Sequence, residues 1–261
     1  MPHVAEITAF LESFAPTALA ESWDNVGLLI GRFEQPVTRV MTCLTITPDS
    51  AAEAIAEGAE LIVTHHPLPF RPLKRLTGET PEGRLLLDLI AAKVAVYSPH
   101  TAFDSAAEGI NHRLAKGLGL NSIAPLVPAA EPGQGAGRFG RLAKPQSLAE
   151  LTAAVKKLLG IEHAQAVGPL DQHITRVAVA CGSAGEFLGP AEVAGCECLV
   201  TGEVRFHTAL EAEALGVGLV LAGHFASERF ALDELAELLA RQFRELKVWA
   251  SRTERDPIQW L

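Results

Sequence analysis

Residues 37–66 read VTRVMTCLTITPDSAAEAIAEGAELIVTHH, and this stretch decides the fold. It opens on a β-branched, apolar run from Val37 to Thr47. Such a run reads as a strand. Pro48 and Asp49 then open PDSAAEAIAEG, a helical stretch. A second apolar run, ELIVTHH, follows and stops at the pair His65 and His66. Strand, helix of ten to fifteen residues and strand make a βαβ unit, which aligns its two strands in parallel.

The unit occurs twice. Residues 174–203 read ITRVAVACGSAGEFLGPAEVAGCECLVTGE. Val37-Thr-Arg-Val40 returns as Ile174-Thr-Arg-Val177, and Thr64 and Thr201 each lie 27 residues beyond the opening residue of their copy. Equal offsets with matching strand ends point to an internal duplication. Around the two units the pattern predicts helices at 4–14, 83–92, 107–116, 148–159, 207–215 and 225–243, and a closing strand in LKVWAS. The Gly- and Pro-rich segment PAAEPGQGAGRFG is read as the crossing between the halves. The expected fold is α/β, two similar halves with mainly parallel mixed sheets. The first half would comprise residues 1–127 with 225–261, and the second residues 128–224.

Strand ends in α/β sheets are where such proteins place their sites. Three apolar runs in this chain end in metal-ligand side chains. ELIVTHHP ends at His65 and His66, VAVYSPHTAFD carries His100 and Asp104, and VGLVLAGHFASE carries His224 and Glu228. In the last two a carboxylate follows the His by four residues, about one helical turn, so both can face one point if a helix starts there. Imidazole and carboxylate suit zinc, manganese, iron or nickel. These six residues are read as one shared centre for two divalent ions, with Glu228 the natural bridge. Adjacent residues in extended chain face opposite ways, so His65 and His66 would serve different ions across the turn at Pro67. His100 is the residue most suited to orient a ligand rather than bind directly.

Near the matching strand end, TGEVRFH supplies Glu203 and His207 as candidates for acid–base chemistry, Glu203 being placed off the position of His66 by a two-residue strand extension. ESWDNVGLLIG reads as a turn before a strand, with Trp23, Asp24 and Asn25 in a structural or site-edge role. CGSAG after VAVA offers backbone N–H groups to an anion. GQGAGRFG does not follow a strand and open a helix, as the dinucleotide fingerprint requires.

Composition narrows the classes. The net charge of −9 comes without a basic block, which disfavours a nucleic-acid partner. The four cysteines, Cys43, Cys181, Cys196 and Cys198, give no zinc-site spacing. No apolar run approaches the ~18 residues of a membrane span. MPHVAEITAFLESF lacks the basic start and apolar core of a signal peptide, so a cytoplasmic location is expected.

In order and spacing, ESWDNVGLLIG, LIVTHHPLPF, SPHTAFD, TGEVRFH and GHFASE resemble the NIF-three-like dinuclear metal proteins, also called GTP cyclohydrolase I type 2 homologues. The resemblance spans nearly the whole chain, in the short form that lacks an inserted domain. It implies a toroidal homohexamer of two-domain α/β subunits, with a dinuclear site between the domains. By motif, the resemblance makes His65, His66, Asp104, His224 and Glu228 the ligands, with Glu228 bridging and His100 beside the site. The function expected is that of a metal-dependent hydrolase acting on a nucleotide-like or phosphorylated small molecule, with His207 or Glu203 moving protons. The alternative is a non-catalytic metal carrier or regulatory protein.

Overall fold

The computed structural model describes residues 1–259. The chain divides into two compact units, Met1–Phe103 with Ala231–Pro257, and Asp104–Phe230. The first begins with α1 (Val4–Phe14), β1 (Gly27–Ile30), β2 (Arg39–Cys43), α2 (Pro48–Ala56), β3 (Leu61–Thr64), α3 (Pro81–Ala91) and β4 (Ala95–Ser98). The division falls inside α4 (His100–Ser105). The second unit continues with α5 (Ile110–Gly117), β5 (Asn121–Pro128), β6 (Gly135–Ser147), α6 (Leu148–Leu159), β7 (Gln165–Val167) and β8 (His173–Ser183). It ends with α7 (Leu188–Val193), β9 (Cys198–Glu203), α8 (Phe206–Leu215) and β10 (Gly218–Leu221). The chain returns to the first unit within α9 (His224–Gln242) and closes it with β11 (Lys247–Ala250).

The first sheet has the order β1-β4-β3-β2-β11, parallel except where β1 meets β4. The second has the order β5-β6-β8-β9-β10-β7, parallel only across β8, β9 and β10. Its parallel centre is the second βαβ copy. The antiparallel flanks come from the hairpin β5–β6 and from β7. The Gly/Pro segment 128–140, read as a crossing between halves, lies inside the second unit: residues 129–134 form the tip of that hairpin and the rest belongs to its strands. β5, through which the sequence reading drew its boundary, pairs with β6 from Asn121 to Pro128.

Alternation along the central strands explains the layering. Val177, Val179, Cys198, Val200 and Val220 pack with Leu114, Leu148, Leu151 and Val155 of α5 and α6. Their sequence neighbours Ala178, Ala180, Leu199 and Leu219 pack with Leu188, Ala191 and Ala212 of α7 and α8. Both faces are therefore covered, as parallel strands require. In the first unit Met41, Cys43, Ile62 and Val96 pack against Ala51, Ala54 and Leu89 of α2 and α3. On the alternate positions, Thr42 donates its hydroxyl to the Leu232 carbonyl of α9 at 2.8 Å.

The two copies match in register as well as in sequence. Val40 pairs with Leu61 and Cys43 with Thr64, while Val177 pairs with Cys198 and Ala180 with Thr201. Glu60 accepts from the backbone N–H groups of Thr38 and Arg39, and Glu197 from those of Thr175 and Arg176. Gln35 donates to the carbonyls of Glu60 and Lys93, and Gln172 to those of Glu197 and Gly216. A buried strand start leaves carbonyls and amides that need partners. In each copy one Gln and one Glu supply them.

Candidate metal centre

In the first unit, β3 and β4 end side by side and present His65, His66 and His100. The backbone N–H of His65 donates to the Cys43 carbonyl and that of His66 to the Leu44 carbonyl, so the ladder with β2 continues past Thr64. Ser98 donates its hydroxyl to the His65 carbonyl at 2.6 Å and fixes the same segment from β4. The three imidazoles gather at ring-centroid distances of 5.1 to 5.6 Å. One nitrogen from each lies within 4.8 Å of the other two.

Two of these rings are held through Nδ1. His66 Nδ1 lies 2.7 Å from the Thr45 hydroxyl. His100 Nδ1 lies 2.7 Å from Asp24 Oδ1, and Asp24 Oδ2 accepts from the backbone N–H and hydroxyl of Thr101. Burial works against charge on Asp24, but the hydrogen bonds from His100 and Thr101 outweigh it and hold its carboxyl at about 2. A partner on Nδ1 orients each ring, the pattern in which metal-bound histidines are held.

In the second unit, β8, β9 and β10 end around the start of α9. The first residue of that helix is His224. Its Nε2 lies 3.2 Å from Glu228 Oε2, one turn along, and its Nδ1 lies 2.9 Å from Glu203 Oε1 at the end of β9. The Glu228 carboxylate, against the opposing cost of burial and with the help of Glu203, raises the His224 imidazole to about 9. Two carboxylates around one imidazole make a local preference for a cation.

Small residues let these groups approach. Gly182, at φ +68°, faces Glu228 Oε1 so closely that a Cβ would overlap it. A Cβ on Gly202 would press on the Gly182 carbonyl, Ser227 Oγ and His224 Cα. Ser227 accepts from the Gly182 N–H and donates to the His224 carbonyl, tying β8 to the helix start. Asp104 accepts from Cys181 Sγ at 3.2 Å. Burial, together with the charges of Asp104 and Glu228, pushes the Cys181 thiol well up. Cys196 and Cys198 are buried and their thiols are also raised by burial, Cys196 to about 11. That is the behaviour of small apolar residues rather than of zinc ligands.

Of the residues singled out in the sequence, His65, His66 and His100 form one cluster, and His224, Glu228 and Glu203 form another. Asp104 sits on Cys181 in the second unit. His207 belongs to neither group: it is exposed in the first turn of α8, its ring centroid 5.8 Å from that of Phe206. Glu203 lies two residues past Thr201, as His66 lies two past Thr64, but the register with β8 shifts between Ala180 and Ser183, so Glu203 pairs with Ser183 at an irregular strand end. Asp24 is the residue whose part the sequence reading left open. Its one visible signal is the Trp23-Asp24-Asn25 turn, which carries nothing to link it with His100, 76 residues on.

Nitrogen and oxygen donors set on strand ends, with carboxylates and hydroxyls orienting the imidazoles, define a candidate metal-binding α/β protein. The chain belongs to the Duf34/NIF3 (NGG1p interacting factor 3) family, whose model matches residues 2–257. It is 32% identical to a GTP cyclohydrolase 1 type 2 homolog of Clostridium perfringens, over 98% of both chains. It is 35% identical to the protein NIF3 homolog of Schizosaccharomyces pombe, over 97% of this chain and 96% of the other. The crystal structure of Staphylococcus aureus protein SA1388 superposes with a TM-score of 0.91 at 28% identity, covering 99% of each chain.

Proposed function

We propose that this chain is a dinuclear metal protein that hydrolyses a nucleotide-like or phosphorylated small molecule. The ligands would be His65, His66, Asp104, His224 and Glu228, with Glu228 shared between two divalent ions. The observation that carries this reading is the gathering of three imidazoles within 4.8 Å, two of them oriented through Nδ1. The donor set fits zinc, manganese, iron or nickel, all of which accept imidazole nitrogen and carboxylate oxygen. Such ions supply Lewis acidity and make water a nucleophile near neutral pH.

The chain's own residues do the rest. Asp24 and Thr45 hold the His100 and His66 rings in one orientation, and the Asp24 carboxylate, which can only accept, keeps a proton on His100 Nδ1. Glu203 does the same for His224, and half its side chain is exposed, so its carboxylate can take up or return a proton at the solvent edge. Glu228 is buried and faces the His224 ring at 3.2 Å, a place where a carboxylate oxygen can meet a cation. The name GTP cyclohydrolase 1 type 2 homolog, borne by the Clostridium relative, places GTP first among the substrates to try.

A second reading, a non-catalytic metal carrier or regulatory protein, is favoured by the 35% exposure of the His224 side chain, since carriers need reachable ligands. A homohexamer in the cytoplasm completes the proposal. No helix among the described residues is long and apolar enough to cross a membrane.

The test loads the purified protein with Mn, Zn, Fe or Ni and assays GTP and a panel of phosphoesters. Turnover that disappears in Glu228→Ala supports the hydrolase. Absence of turnover, with ready passage of metal to an apo acceptor, favours the carrier instead. Light scattering at micromolar concentration tests the assembly, and a monomeric mass contradicts the hexamer.

A further inference from the structure

Trp23 and Phe70 stand out on the first unit because they are large, aromatic and exposed beside the histidine cluster. Trp23 is 61% exposed and Phe70 43%. Their ring centroids lie 6.0 Å apart, and each lies 6.1 Å from the His100 ring. The three rings therefore form a triangle, with the half-buried His100 at its inner corner and two wet aromatic faces outside.

Polar ties hold the chain on either side of the outer rings. On one side of Trp23, the Glu21 N–H donates to the Thr101 hydroxyl at 3.0 Å. On the other, Asp24 is bound to His100 and to Thr101. Asn25 donates its side-chain amide to the Pro69 carbonyl at 2.7 Å, which ties the Trp23 turn to the residue before Phe70. Exposing two aromatic rings to water is unfavourable by the area they fail to bury. Holding the backbone beside both rings limits the positions they can take before any ligand arrives, which lowers the entropy cost of binding.

Past Phe70 the chain runs Arg71-Pro-Leu-Lys74-Arg75, exposed throughout. Three cations within five residues stand out in a chain of net charge −9. A flat ring to stack and an anion to neutralise are the two features this segment can meet together. Stacking on an aromatic side chain tolerates any base, because every base has a π-face.

We infer that Trp23 and Phe70 are the stacking platform for a planar heteroaromatic ring of the substrate, and that Arg71, Lys74 and Arg75 receive its phosphate. This rests on the metal-site reading above and narrows its substrate to nucleotide-like molecules, in which ring and phosphate are both recognised. The triangle with His100 sets the ring beside the histidine cluster.

The test measures binding of GMP and of ribose 5-phosphate to the metal-loaded full-length protein by calorimetry. Elemental analysis of every sample is run in parallel. GMP should bind at least about tenfold more tightly than ribose 5-phosphate, the span expected for one stacked base. Trp23→Ala should remove that difference while leaving metal content unchanged. Replacing Arg71, Lys74 and Arg75 together by Ala should weaken both probes alike. The inference is overturned if GMP does not bind, if both probes bind equally to the unaltered protein, or if Trp23→Ala keeps the preference. A preference that persists while Trp23→Ala changes the mass of the assembly also overturns it, and makes the aromatic pair a contact between copies. If the preference depends on Trp23 but no metal is found, the ring platform stands and the metal-hydrolase reading falls.

Discussion

Asp24 Oδ1 and His100 Nδ1 lie 2.7 Å apart, although 76 residues separate them. The contact joins the turn before β1 to the first residue of α4. It also reaches Thr101, whose N–H and hydroxyl both donate to the other Asp24 oxygen. His100 thus comes to the cluster with its ring orientation already set.

Asp24→Asn keeps an acceptor for His100 but removes the charge. Loss of such a partner typically weakens metal binding by about 10- to 100-fold. Titration against a chelator should show that loss, with the far-ultraviolet circular dichroism unchanged. Unaltered affinity would remove Asp24 from the account of the site.

Gly182→Ala tests the close approach on the second unit. The residue has φ +68°, which costs an L-residue about 1–2 kcal/mol, and its new methyl would overlap Glu228 Oε1. We expect a lower melting temperature and at least tenfold weaker metal retention. Retention equal to that of the unaltered protein would mean that Glu228 is not a ligand, or that its carboxylate moves freely.

Gln35→Ala and Gln172→Ala test the duplication. Each Gln donates to two carbonyls at equivalent places, Glu60 and Lys93 in one copy, Glu197 and Gly216 in the other. Each loss should cost about 1–2 kcal/mol. Chemical denaturation should find the two costs similar. A large cost at one position and none at the other would make the resemblance of the two copies superficial.

Glu53 supplies a pH dependence away from the site. It sits on α2 and accepts from Trp249, Ser251, Arg252 and Thr253. Burial opposes its charge, but these donors prevail and hold its carboxyl at about 2, below the ordinary 4.5. A carboxyl lowered in the folded state stabilises fully above about pH 4.5, and that stabilisation is lost as pH falls toward 2. The shift corresponds to roughly 3 kcal/mol at neutral pH. Glu53→Gln should therefore unfold more easily at pH 7 and show a flatter stability curve between pH 5 and 2. Parallel curves for the two proteins would contradict this.

What the sequence disclosed was set by where the physics is local. The two V/I-T-R-V starts, the helices at 4–14 and 148–159 and the His-bearing strand ends all depend on short-range pattern, and the structure has them. The β5–β6 hairpin was misread because Gly and Pro cluster at its tip and continue into β6, where Gly135, Gly137 and Gly140 sit against neighbouring backbone or side chains. Pairings across long separations had no local signal: Asp24 with His100, Glu203 with His224, and Glu53 with the segment after β11. Asp24 was visible only as part of a turn, and His207 was put forward because TGEVRFH follows the strand end that matches His65.

The central claim is that His65, His66, Asp104, His224 and Glu228 hold two metal ions. The most direct measurement is elemental analysis of the fully loaded, dialysed chain, compared with Glu228→Ala. The account predicts two ions per chain, and loss of at least one in the variant. One ion or none in the unaltered protein, or two in Glu228→Ala, would contradict it.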